Sequence, residues 1–309
     1  MHFTEIIMGK ILLYYKYVAI HDPLGMQAWQ KELCAQLNLT GRIIIAHEGI
    51  NGTVGGSQEA VENYQAAMLE NSLFSDIDFK ISDGGSNCFP RMKIVIKNEI
   101  VRMGIDPKDL SADDAGIYLT PEEAHNLIAQ KKDNLVILDT RNTYESAIGT
   151  FEGAVIPPIE NFRDFPEYID THVDLFKDKE VMMFCTGGVR CERATAYLKT
   201  KKTAAQVYHI KGGICRYVEH YPDGYFKGSN YVFDGRVTVT INKETVGACL
   251  FCSVKHDACS NCVNTRCNAR IIACNDCSPK YHNTCSQLCA DLVLTGQVAV
   301  RTIPTHVAL

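Results

Sequence analysis

The chain has 309 residues, 46% of them hydrophobic, and a formal net charge of −5. That composition excludes a disordered chain, leaves room for two or three domains, and shows no global basic excess of the kind that announces nucleic acid. The first apolar run, KILLYYKYVAI (10–20), is short, is broken by Lys16 and lacks a small-residue cleavage site after it. It reads as a strand rather than a signal peptide or membrane span, so the expected location is cytoplasmic, without a membrane partner.

Residues 10–104 then alternate between strand and helix patterns. LGMQAWQKELCAQLNL places Met26, Trp29, Leu33 and Leu37 near one helical face. GRIIIAHEGINGTVGG is an apolar run, a Gly/Asn turn at Gly49 to Gly52 and a short return strand. QEAVENYQAAMLEN is a second amphipathic helix, and RMKIVIKNEIVRM closes the unit as its last strand. Strand, helix, strand, strand, helix, strand is the split βαβ order of a ferredoxin-like (acylphosphatase-like) α+β domain. Residues 105–116 are acidic, contain Pro107, lack periodicity and read as a linker.

From 117 to 222 the pattern changes. Thr120-Pro121-Glu122-Glu123 starts a helix, with Thr120 as N-cap, Pro121 in the first turn and Glu123 completing a capping box. NLVILDTR, KEVMMFC and QVYHIKGG are short buried strands. ESAIGTF (weakly), ENFRDFPEYIDTHV and ERATAYLKTKK are the helical stretches between them. Such alternation implies a parallel α/β sheet covered on both faces, with ligands bound beyond the carboxyl ends of its strands. Cys185 stands at one of those ends.

CTGGVRC, residues 185–191, carries the chemistry. A cysteine reacts as thiolate, and its ordinary pKa of about 8.5 leaves it protonated at neutral pH. A loop turning straight from strand to helix can aim backbone N–H groups at the sulfur, and Gly187 and Gly188 permit the dihedrals this needs. The helix that follows adds the positive end of its dipole, and Arg190 adds a full charge. Thr186 and Val189 complete the loop. Asp139 and Arg141, at a neighbouring strand end, either brace it or stand solvated.

These residues identify a relationship. LDTRNTYE, CTGGVRCERA and HIKGGI resemble the rhodanese-like domain over residues 117–222. HEGINGTVGG at 47–56, KIVIKNEIVRMG at 93–104 and the cysteine-rich tail extend the match to the rhodanese-related tRNA uridine 34 hydroxylases. The resemblance implies an oxygen-dependent hydroxylation of the wobble uridine to 5-hydroxyuridine, with molecular oxygen as co-substrate and the tRNA anticodon loop as partner. No flavin, nicotinamide or haem motif is seen, and no obligate protein partner is evident. Addition of the Cys185 thiolate to C6 of uracil would make C5 nucleophilic.

Rhodanese-related phosphatases resemble Cys-x5-Arg, whereas Cys185 and Arg190 stand as Cys-x4-Arg, too short for that pattern. A simple sulfurtransferase needs only the first cysteine. Cys191 is either a redox partner that resolves a covalent state on Cys185 or a helix-start residue packed under the loop. The competing readings are a sulfurtransferase carrying a persulfide on Cys185 and a non-catalytic RNA-binding rhodanese scaffold.

Residues 223–309 form the third part. Nine of the chain's 14 cysteines fall here: Cys249, Cys252, Cys259, Cys262, Cys267, Cys274, Cys277, Cys285 and Cys289. Three CxxC pairs suit tetrahedral zinc, whose binding would supply folding energy to a segment poor in apolar residues. Eight ligands would serve two structural ions and leave at least one cysteine spare, and the alternative, disulfides, needs an oxidising compartment. His256 and His282 are possible further ligands. Because tails differ in cysteine content within the family, this one is expected to contact tRNA rather than carry the chemistry. Arg193, Lys199, Lys201, Lys202, Lys211 and Arg216, extended by Arg266 and Arg270, are the candidate phosphate track, although such runs are usually solvated helix ends. Tyr197 and His209 could stack on bases but read as core.

Overall fold

The computed structural model describes residues 8–85, 88–267 and 269–301. The N-terminal part runs β1 (Met8–Tyr17), α1 (Pro23–Gln36), β2 (Thr40–Ala46), β3 (Gly49–Ser57), α2 (Gln58–Glu70), β4 (Lys80–Gly85) and β5 (Met92–Ile96). Its sheet order is β4-β1-β3-β2-β5, with β5 parallel to β2 and the other pairs antiparallel. The first four positions are the split βαβ arrangement. One expectation needs correction. The strand that closes the unit is β4, KISDGG, and RMKIVI is an added fifth strand at the opposite edge. KISDGG is polar and glycine-rich, so its pairing with β1 comes from tertiary context and not from its own propensity.

The two helices seat Met26, Cys34, Val61, Tyr64 and Met68 on the sheet with Leu12, Tyr14, Ile43 and Val54. Three buried polar groups in this core satisfy each other. The Tyr14 and Tyr64 hydroxyls lie 2.5 Å apart, and Tyr64 donates to Gln30 Oε1 at 2.6 Å. Both faces of β1 are apolar. Leu12 and Tyr14 face this core, while Leu13, Tyr15 and Tyr17 face the next part of the molecule.

That part contains β6 (Ile117–Leu119), α3 (Pro121–Ala129), β7 (Leu135–Asp139), α4 (Thr143–Ser146), β8 (Gly149–Phe151), α5 (Phe165–Thr171), β9 (Glu180–Phe184), α6 (Val189–Lys201), β10 (Gln206–Ile210) and α7 (Gly213–His220). ESAIGTF, expected to be weakly helical, is divided between the end of α4 and strand β8. The sheet β6-β10-β9-β7 is wholly parallel. Along β9, Val181 and Met183 join the core under α5 and α6, while Met182 and Phe184 join the core under α3 and α7. This two-sided burial is why the strand reads as an unbroken apolar run. The capping box at Thr120 and Glu123 forms as expected.

The C-terminal part contains β11 (Phe226–Tyr231), β12 (Thr238–Thr240), β13 (Cys259–Asn261), β14 (Arg270–Ile272), α8 (Cys277–Lys280) and α9 (Gln287–Leu294). Strand β11 pairs with β8, so the tail is stitched to the middle part by a shared sheet. Strands β13 and β14 form an antiparallel hairpin. Among the described residues no helix is long and apolar enough to cross a membrane.

Candidate active site at the Cys185 loop

Strand β9 delivers Cys185 to the carboxyl edge of the parallel sheet, and α6 begins four residues later. Two glycines make the turn feasible. Gly188 has φ 103°, a left-handed conformation costly for residues with a Cβ. Gly213, φ 62°, lies so close that a Cβ would stand 2.3 Å from the Cys185 carbonyl. The start of α7 fixes that side of the loop, with the Ile214 and Cys215 amides donating to the Cys185 and Thr186 carbonyls at 2.9 and 3.0 Å.

The sulfur itself is fully buried. The Gly188 amide donates to Cys185 Sγ at 3.1 Å. Burial pushes this thiol up, but a hydrogen bond from Cys191, the Arg190 charge and the Arg190 and Gly188 amides outweigh it and bring it down to about 5. Cys191 moves the other way. Burial, and then its bond to the Cys185 sulfur, hold it well above its ordinary value, and Thr140 Oγ1 lies 3.7 Å from its sulfur. The two shifts run in opposite directions, so Cys185 is the more acidic sulfur of the pair and Cys191 the less acidic.

Arg190 does not reach out to solvent. Its guanidinium is gripped by both carboxylate oxygens of Glu145, at 2.6 and 2.7 Å, with the Phe233 ring 5.8 Å away. Asp139 and Arg141 form a fully buried ion pair rather than a solvated strand end. Asp139 accepts from Ser146 and Thr150, and Arg141 donates to the Gly149 carbonyl at 2.6 Å. The pair therefore braces α4 and β8, the segment that carries Glu145, and through it Arg190. Leaving one member of such a pair unpaired and buried costs about 3–5 kcal/mol.

Strand β1 covers the loop from the N-terminal side. Tyr15 donates to Glu192 at 2.8 Å, Tyr118 donates to its other oxygen at 2.6 Å, and Tyr17 donates to the Val189 carbonyl at 3.1 Å. Burial pushes the Glu192 carboxyl up, against the two tyrosine hydrogen bonds. Lys80 is buried beside them, with its ammonium 5.0 Å from the Tyr15 ring and paired with Asp78. Thr186 Oγ1 reaches the Tyr231 carbonyl at 3.5 Å on the tail side.

Sequence reasoning missed Glu145, Glu192, Tyr15 and Thr140. Two of them had a signal. Asn142-Thr143-Tyr144-Glu145 has capping-box spacing, and Glu145 does accept from the Asn142 amide at 3.1 Å. A strand apolar on both faces, as ILLYYKY is, announces a second partner.

The expected phosphate track is largely dismantled. Arg193 is buried, donating to Glu48 at 2.8 Å and to the Ile105 carbonyl at 2.7 Å, so it joins the N-terminal part to the middle part. Arg216 is held by Asp78, Glu219 and the Phe79 carbonyl, Lys201 by Asp170, and Lys199 by the Asp114 and Ala115 carbonyls. Lys202 and Lys211 are exposed. Arg270 lies over the Tyr144 ring at 4.2 Å and donates to Tyr231, whereas Arg266 is exposed. Tyr197 bonds Asp170. His209 is buried against Tyr118, and burial pushes it down to about 4, so it is a neutral core residue.

Eight tail cysteines converge in two groups of four, Cys249, Cys252, Cys274 and Cys277, and Cys262, Cys267, Cys285 and Cys289. Of the nine candidate ligands, one stands apart. Cys259 belongs to neither group and packs with Ile148 and Tyr231. His256 and His282 also lie outside both groups.

Residues 9–100 match the family described as UPF0176 acylphosphatase like domain, residues 120–220 the Rhodanese-like domain, and residues 227–290 the Rhodanase C-terminal family. A Corynebacterium urealyticum protein named tRNA uridine(34) hydroxylase is 40% identical over 293 residues, spanning 92% of this chain and 98% of that one. A Pseudarthrobacter chlorophenolicus protein of the same name is 40% identical over 283 residues, spanning 88% and 95%.

Proposed function

The chain belongs to the tRNA uridine(34) hydroxylase family, and from that premise we propose that it hydroxylates C5 of the wobble uridine of tRNA, in the cytoplasm, with dioxygen as co-substrate. The observation that supports a cysteine mechanism is the polarised pair at the loop, with Cys185 a thiolate and Cys191 a thiol. Cys185 adds to C6 of uracil and loads electron density onto C5. Arg190, oriented by Glu145, keeps the sulfur anionic before the attack.

The atoms balance with the two cysteines as reductant. A hydroxyl group carrying one oxygen atom replaces the C5 hydrogen and the other oxygen leaves as water, which requires two electrons and two protons beyond dioxygen. Loss of the C5 proton from the hydroxylated adduct expels Cys185 from C6. Oxidation of the Cys185 thiolate and the Cys191 thiol to a disulfide supplies both electrons and one proton, and solvent supplies the second proton. Two equivalents of an external thiol restore the pair by exchange. Lys202 and Lys211, with Arg266, contact anticodon-stem phosphates, and the cysteine-rich tail holds structural zinc.

Mass spectrometry of tRNA nucleosides from a deletion strain tests the reading. 5-Hydroxyuridine derivatives disappear, return with the wild-type gene, and do not return with Cys185→Ser. Loss of a thiolated nucleoside instead would replace the reading with a sulfurtransferase. In single turnover, one Cys185–Cys191 disulfide forms per product, and full turnover by Cys191→Ser would remove the cysteine pair as reductant.

A further inference from the structure

In each tail group, all four Sγ atoms lie within 4.8 Å of one another. Cys252 and Cys274 are 3.7 Å apart, Cys267 and Cys285 3.6 Å, and Cys285 and Cys289 3.7 Å. Four sulfurs bound to one zinc at about 2.3 Å stand about 3.8 Å from each other. A disulfide needs about 2.05 Å. The spacing is therefore that of one metal ion per group, too open for sulfur–sulfur bonds and too tight to surround a multi-iron cluster.

The order of the ligands is the informative feature. The chain gives Cys249 and Cys252 to the first group, Cys262 and Cys267 to the second, Cys274 and Cys277 to the first, then Cys285 and Cys289 to the second. Amide groups already point at the sulfurs, with Cys274 N donating to Cys249 Sγ at 3.4 Å and the buried Asn264 Nδ2 donating to Cys289 Sγ at 3.3 Å. Donors of this kind orient and stabilise thiolate ligands from outside the coordination shell.

We propose that the C-terminal segment binds two zinc ions in interleaved tetrathiolate sites, with Cys259 excluded from both. This deepens the structural-zinc reading above and rests on it. Interleaving winds the chain through both sites, because each connection between ligand pairs crosses from one site to the other. The β13–β14 hairpin lies within those crossings, and it carries Arg270 onto Tyr144, the neighbour of Glu145. The two ions thus hold a tail residue against the segment that orients Arg190.

The test is metal content of the purified full chain by mass spectrometry. Wild type and Cys259→Ser carry two zinc ions, Cys252→Ser or Cys267→Ser carries one, and the double variant Cys252→Ser/Cys262→Ser carries none. In a sequential arrangement with Cys249, Cys252, Cys259 and Cys262 on one ion, that double variant would keep one ion and Cys259→Ser would lose one. That result overturns the interleaving and leaves the zinc reading standing. No zinc in wild type, or iron in its place, overturns the zinc reading itself. Should the variants fail to fold, cadmium-113 correlation spectra of the exchanged wild-type protein decide the matter. Two signals are expected, each correlated with the four cysteines of one group, and any mixed set overturns the proposal.

Discussion

Two regions of this molecule are built on cysteine, and they use it in opposite ways. In the loop after β9, one sulfur is surrounded by amides and a guanidinium and shares its hydrogen bond with a single neighbouring thiol. In the tail, the four sulfurs of each group lie within 4.8 Å of one another, and three pairs stand at 3.6–3.7 Å. The first environment stabilises one negative charge on a single sulfur, which suits a nucleophile. The second gathers four sulfurs at a spacing that one metal ion can bridge, which suits a structural site. Neither outcome is a property of the residue. Cys259, buried between hydrophobic neighbours, shows a third fate in which the thiol is pushed up to about 11 and serves as packing.

The largest expected effect separates the two regions outright. Cys185→Ser abolishes hydroxylation and retains the wild-type zinc content, while Cys252→Ser loses one of two zinc ions and keeps measurable activity. An inactive Cys252→Ser protein with an intact fold would break the division.

Arg190→Ala probes what makes the loop different. With the guanidinium present, kcat/KM rises as Cys185 deprotonates through about 5, so activity is complete at neutral pH and falls on acidification. Without it the rise moves upward by about 1–3 pH units. Glu145 is also left buried without its partner, so denaturant unfolding should show a loss of about 3–5 kcal/mol.

Tyr15→Phe tests the cover over the sulfur. The hydrogen bond to Glu192 is worth about 1.5–3 kcal/mol if charged, so alkylation of Cys185 by iodoacetamide should accelerate roughly tenfold or more. The tail cysteines should react at an unchanged rate. Lys202→Ala and Lys211→Ala are expected to have the smallest effects. Each should lower the slope of log affinity for tRNA against log salt by about 0.7, and Arg266→Ala reports whether the tail shares that contact.

The sequence made the loop legible because its chemistry is local. Cys185, Gly188 and Arg190 act within six residues, and strand, turn and helix follow one another without interruption. The three-part organisation was legible from periodicity and from cysteine density. What escaped was non-local. Arg193 read as a surface cation because its partner Glu48 lies 145 positions away. The closing strand of the first sheet escaped because KISDGG has no strand pattern, while RMKIVI, which does, belongs at the other edge. The pairing of tail cysteines could not follow from CxxC spacing, since each pair is compatible with any other until the chain path is known.

One turn of α6 serves both the reactive loop and the contact between the first two parts of the molecule. Arg190, Cys191, Glu192 and Arg193 are consecutive, so successive side chains leave the axis about 100° apart. They meet four different neighbours: Glu145, the Cys185 sulfur, the tyrosines Tyr15 and Tyr118, and Glu48. A single residue inserted before Arg190 would rotate all four onto the wrong neighbour at once. The reading frame of that one turn is thus shared by catalysis and assembly, and a library that shifts it should contain no active member and no partially assembled one.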